Sequence, residues 1–126
     1  MILVDTSVWI RALARREPYL SELDRLLVLD QVAGHELIFG ELLIGDREGR
    51  RNFLSDYERM HRVEMVSHTE VVAFVRSRRL HGRGAGWIDI HLIASAMAGR
   101  MKLWTADSRC ADLAGELGAS YEIPAA

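Results

Sequence analysis

Apolar and polar positions along this chain come in blocks that differ in period. The opening block, "MILV", is apolar throughout and rich in β-formers. Such a run predicts a strand covered on both faces, as in a parallel sheet. "DTSVWIRAL" follows, with Thr6 or Ser7 placed to cap a helix. From Tyr19 to about Ala33 the chain reads as a helix, with Leu20, Leu23, Leu26, Leu27 and Val28 near one face. "HELIFGELLIG" is dense in apolar residues and long enough for a helix that stops at Gly45. "DREGRRNFLSDYERMH" is amphipathic around Phe53, Leu54 and Tyr57, and "RVEMV" has the pattern of a short strand. "SHTEVVAFVRSRRLHG" opens with Ser67 and Glu70 in capping-box spacing and ends near Gly82. "GWIDIHLIASA" is a further apolar helix. "KLWTAD" is a strand, "SRCADLAGELG" a helix ending at Gly118, and "SYEI" a last short strand.

Strands separated by helices predict a three-layer α/β/α sandwich. Its sheet would be small and mainly parallel, with roughly four or five strands. In such sheets ligands bind beyond the carboxyl ends of the strands, where the strand order reverses.

Composition narrows the function classes. At 126 residues, 49% of them apolar, the chain is expected to be one domain spanning 1–126 with a sizeable core. A net charge of -2 argues against a protein coated in positive charge, so nucleic-acid contact must come from local patches. "REGRR" (47–51) and "RSRRLHGR" (76–83) are such clusters, and both also suit solvated helix faces. Cys110 is the single cysteine, which rules out an internal disulfide or a cysteine zinc site. The start has too short an apolar run for a signal peptide, and no stretch approaches a membrane span. A cytoplasmic protein without membrane contact is expected.

Four acids stand out. Asp5 ends the apolar strand "MILV", and Asp107 lies just beyond "KLWT". Asp89 and Glu41 lie in apolar helices, with Leu92 and Ile93 near the first and Leu37, Ile38 and Ile44 near the second. Each has an ordinary structural role open to it. Asp5 and Asp107 suit helix caps or turns. Glu41 suits a solvated helix face, and Asp89 an ion pair to an arginine such as Arg83. Together the four come from separate elements. Clustered carboxylates repel, and a hard divalent cation resolves the conflict with oxygen ligands. Mg²⁺ or Mn²⁺ there would hydrolyse a phosphate ester by activating water.

Other candidates are weaker. Ser7 has no evident histidine partner for nucleophilic catalysis. "GRGAG" lacks the strand that precedes a dinucleotide loop and reads as a turn before a helix. His91 reads as a core or interface residue, and Trp9, Trp87 and Trp104 as packing residues.

"MILVDTSVWI", "IFGELLIG", "GWIDIHLIASA" and "LWTADSR" follow the order and spacing of PIN-domain ribonucleases. More narrowly, the chain resembles the VapC toxins of type II toxin–antitoxin systems. The resemblance implies that Asp5, Glu41, Asp89 and Asp107 form the acidic quartet that binds Mg²⁺ or Mn²⁺. Asp5 and Asp89 would be the principal metal ligands. Ser7 and Thr105 would support them. It implies an endoribonuclease that cuts structured RNA, transfer or ribosomal, and inhibits translation. It also implies a homodimer neutralised by a VapB-type antitoxin, with apolar positions such as Leu13, Leu26 or Phe39 available to receive that partner.

Two other Mg²⁺-dependent classes fit less well. A haloacid-dehalogenase-type phosphatase needs a second Asp where Ser7 stands. A response-regulator receiver needs an acidic pair after the first strand, where "VDTS" has one acid. A catalytically weak PIN-like module that only binds RNA is the remaining alternative.

Overall fold

A computed structural model describes residues 1–125. "MILV" contributes β1 (Ile2–Val4), the central strand of a three-stranded sheet. β2 (Val32–Ala33) flanks it on one side and β3 (Lys102–Trp104) on the other, both parallel to it. Leu3 stands between Ala33 and Leu103, and none of the three has exposed surface. The unbroken apolar run is thus covered on both faces, as a parallel layer requires.

Seven helices complete the described residues: α1 (Thr6–Leu13), α2 (Tyr19–Val28), α3 (Glu36–Ile44), α4 (Arg51–Arg59), α5 (His68–Arg78), α6 (Trp87–Ala98) and α7 (Ser108–Glu116). α1 packs on α2 and α3, α3 on α4, α5 on α6, and α6 and α7 on β3. α6 enters deepest, with every residue from Ile90 to Ala96 buried. Together with Leu3, Val8, Ile38, Leu103 and Leu113 it fills one continuous core. Each such large side chain stabilises the fold by about 1.5–3 kcal/mol when fully buried.

The sheet has three strands where four or five were expected. "RVEMV" and "SYEI" each reach an edge of the sheet but make single bridges, Arg62 to Gly34 and Ser120 to Leu103. The helix expected to run to Ala33 ends at Val28. Asp30 takes a left-handed conformation (φ 54°), which turns the chain into β2. Leu27 and Val28, expected on the buried face of that helix, are 40% and 85% exposed.

This topology creates the crevice in which ligands of open α/β sheets bind. From β1 the chain crosses to β2 on one side and later to β3 on the other. The order therefore reverses at the carboxyl end of β1. Asp5 is the first residue past that end.

Candidate active site

Asp5 N–H donates to the Trp104 carbonyl at 2.9 Å, so the chain leaves β1 and β3 side by side. Thr6 and Ser7 were expected to cap α1, but neither does. Asp5 takes the N-cap position, without a side-chain cap bond, and the hydroxyls reach across elements instead. Asp5 Oδ2 accepts the Ser7 hydroxyl at 2.6 Å and the Thr105 hydroxyl at 2.9 Å. Ser7 Oγ accepts the Ala106 N–H at 3.0 Å, and Thr105 Oγ1 the Asp107 N–H at 3.2 Å. Ser7 and Thr105 thus both lie at the Asp5 carboxylate.

The other three acids are anchored by different local devices. Asp107 is the N-cap of α7, with Oδ1 accepting the Cys110 N–H at 3.0 Å. Asp89 stands in the first turn of α6, and its Oδ2 accepts the Gly86 N–H at 3.1 Å. A carboxylate in that turn also faces the positive end of the helix dipole. Glu41 lies midway along α3, and its Oε1 accepts the Thr6 hydroxyl at 2.7 Å. Thr6, expected as a cap, holds the Glu41 carboxylate instead. Its position directly after a strand-ending acid was the only signal for it.

Each of the four carboxylates therefore commits one oxygen to a protein donor. The second oxygen of each, Asp5 Oδ1, Glu41 Oε2, Asp89 Oδ1 and Asp107 Oδ2, has no protein hydrogen bond among the described residues. The ion pair considered for Asp89 is absent, because Arg83 pairs with Glu116 at 2.7 Å.

Asp5, Asp89 and Asp107 share one electrostatic environment. Burial raises the Asp89 carboxyl above its usual range, and the charges of Asp5 and Asp107 raise it further against the Gly86 hydrogen bond. Cys110, buried beneath them, is pushed up to about 12 by burial and then by Asp89, Asp5 and Asp107. Glu41 is tied to the residue after Asp5 by the Thr6 hydroxyl. Among the described residues no three acid, histidine or cysteine side chains already close around a cation position. The acids form an open arc. Its donors are all oxygens, and Mg²⁺ is commonly held by one or two carboxylates while keeping several waters. The donor set fits such an ion.

A cleft of about 430 Å³ runs from Glu41 between α1, α3 and α4. Ile10, Leu13, Leu42, Phe53 and Leu54 line it, with Asp46, Glu48 and Arg50 at its rim. Ile10, Leu43 and Ile44 are large apolar side chains left exposed on these helices. Of the positions expected to receive a partner, Leu13 lines this cleft. Leu26 is core at 3% exposure, and Phe39 is half-buried against the core. Trp9 and Trp104 pack inside as expected, whereas Trp87 is 43% exposed at the start of α6. His91 is a buried residue of α6, as its reading as a core histidine implied.

An α/β crevice ringed by separate acids defines a class, and comparison with known proteins identifies it. The PIN domain model matches residues 2–116, and the chain belongs to the PIN-domain family, on the VapC ribonuclease branch. Ribonuclease VapC32 of Mycobacterium tuberculosis, in two strains, is 40% identical over 119 residues, covering 94% of each chain. The fold is shared with FitAcB from Neisseria gonorrhoeae at a TM-score of 0.63 and 23% identity, over 91% of this chain and 94% of that one. PAE2754 from Pyrobaculum aerophilum aligns at a TM-score of 0.55 and 17% identity, over 94% and 90%. No helix among the described residues is long and apolar enough to cross a membrane.

Proposed function

We propose that this chain, one PIN domain over 1–126, is the ribonuclease of a toxin–antitoxin pair. It hydrolyses phosphodiester bonds in structured RNA, transfer or ribosomal, and so inhibits translation in the cytoplasm. The observation that carries this reading is the free second oxygen on each of Asp5, Glu41, Asp89 and Asp107. Asp5 and Asp89 would hold Mg²⁺ or Mn²⁺, and Glu41 and Asp107 would complete the set. Such a cation supplies activation of water and stabilisation of the departing oxyanion. The protein's own part is placement. Ser7 and Thr105 fix the Asp5 carboxylate, Thr6 fixes Glu41, and the helix caps fix Asp89 and Asp107.

The partner reading rests on the cleft beside Glu41. Its floor is apolar, and its rim carries Glu41, Asp46 and Glu48 against Arg50 alone. That chemistry suits an amphipathic segment of a VapB-type antitoxin with a basic residue directed at the acids. The active form is proposed to be a homodimer.

The test is cleavage of total RNA by antitoxin-free protein with Mn²⁺, with chelator, and with Asp89→Asn. Cleavage in the first condition alone, leaving 5′-phosphate and 3′-hydroxyl ends, is expected. Equal cleavage in all three contradicts the reading. RNA bound but never cut favours the binding module.

A further inference from the structure

Outside the acid arc, one buried polar pair joins the helices that carry its two sides. His35 and Ser95 both have no exposed surface. His35 is the N-cap of α3, and its Nδ1 accepts the Leu37 N–H at 3.0 Å. An accepting Nδ1 leaves the proton on Nε2, which lies 3.0 Å from Ser95 Oγ in the C-terminal third of α6. Ser95 Oγ also accepts the Val66 N–H at 3.4 Å, and the His35 N–H donates to the Tyr57 hydroxyl at 2.9 Å. Burial, reinforced by His91 and Arg62, lowers His35 to about 4, so the ring stays neutral and keeps this tautomer.

The placement is what gives the pair a functional consequence. Glu41 follows His35 by six positions along α3, and Asp89 precedes Ser95 by six along α6. At ~1.5 Å per residue each acid lies roughly 9 Å along its helix from the hydrogen bond. α3 packs on α1 and α4, and α6 on α5, α7 and β3. The His35–Ser95 hydrogen bond is therefore a direct link between the element bearing Glu41 and the element bearing Asp89. A buried polar bond is directional and holds one geometry, which an apolar contact of the same size does not.

We infer that His35 and Ser95 are positioning residues that set the separation of Glu41 from Asp89 and so tune the affinity of the acid arc for a divalent cation. This rests on the metal-dependent reading above. Neither residue touches the cation or RNA; both act through the helices.

The experiment is calorimetric titration of Mn²⁺ into the whole chain and into Ser95→Ala and His35→Asn. Ser95→Ala removes the acceptor with little change in volume. His35→Asn keeps a capping oxygen for Leu37 and loses the reach to Ser95. Both variants are expected to bind Mn²⁺ roughly 10-fold more weakly, the lower end of what groups supporting metal ligands contribute. Raising Mn²⁺ to saturation should restore kcat to about the wild-type value, because the ligands themselves are intact. Leu23→Ala, a core change in α2, is the destabilised control and should leave Mn²⁺ affinity unchanged. If His35→Asn does not fold, Ser95→Ala decides alone. Wild-type binding with unchanged affinity in the folded variants overturns the positioning role. A wild-type chain that takes up no Mn²⁺ overturns the metal reading instead.

Discussion

The two sides of the acid arc are built differently. Asp5 sits at the end of a strand buried on both faces, and two hydroxyls from two elements hold one of its oxygens. Glu41 sits on a helix that ends with Leu43 and Ile44 exposed, and the single hydroxyl of Thr6 holds it. The Asp5 side is redundant and stiff; the Glu41 side opens onto the apolar cleft. Placing a ligand accurately needs the first design. Admitting a partner, and letting it reach a carboxylate, needs the second.

The largest effects should come from the stiff side. Asp5→Asn and Asp89→Asn are each expected to lower RNA cleavage by at least about 100-fold, since losing a metal ligand costs more than losing its support. Asp89→Asn should also raise the melting temperature at neutral pH. Its carboxyl is raised above the usual range, mainly by burial. The folded state therefore carries a penalty at pH values above the folded pKa, and the penalty vanishes once the group is protonated or replaced. Loss of activity with gain of stability is the signature of a group held against its own electrostatics.

Next come the hydroxyls, which test the asymmetry itself. Thr6→Val leaves Glu41 without its donor and should weaken Mn²⁺ binding about 10-fold. Thr105→Val leaves Ser7 on Asp5 and should cost less, whereas Ser7→Ala with Thr105→Val should cost more than the two single changes combined. A larger loss from Thr105→Val than from Thr6→Val, in the same Mn²⁺ titration, would invert the comparison.

The link between the two sides has a pH signature. Burial in the folded state lowers the His35 ring from its ordinary 6.5 to about 4. The unfolded chain thus binds more protons between these values, and stability is lost as pH falls from 6.5 towards 4. Denaturant melts across that interval should show a shallower slope in His35→Asn. The smallest effect belongs to the exposed Arg83–Glu116 pair. Arg83→Ala should change stability by no more than about 1 kcal/mol and leave cleavage untouched.

Period and burial explain what was legible beforehand. β1 and the apolar helix α6 could be read because an unbroken apolar run leaves few geometries open. β2 could not, because two residues that pair only with a distant strand carry no period of their own. Asp107 shows why caps and site residues are hard to separate by sequence. Its Oδ1 caps α7 while Oδ2 has no protein hydrogen bond among the described residues, so the cap leaves one oxygen open to the proposed role. Thr6 was missed for a related reason: a hydroxyl at a helix start suggests a local cap, and its real partner, Glu41, is 35 positions away. Likewise the link from His35 to Ser95 spans 60 positions and has no local trace.

The most direct measurement is Mn²⁺ binding by the antitoxin-free chain, compared with Asp89→Asn under identical conditions. Saturable uptake by the wild-type chain that is lost in Asp89→Asn is the predicted result. Identical isotherms for the two, or no uptake by either, would contradict the claim that these carboxylates together form a cation site.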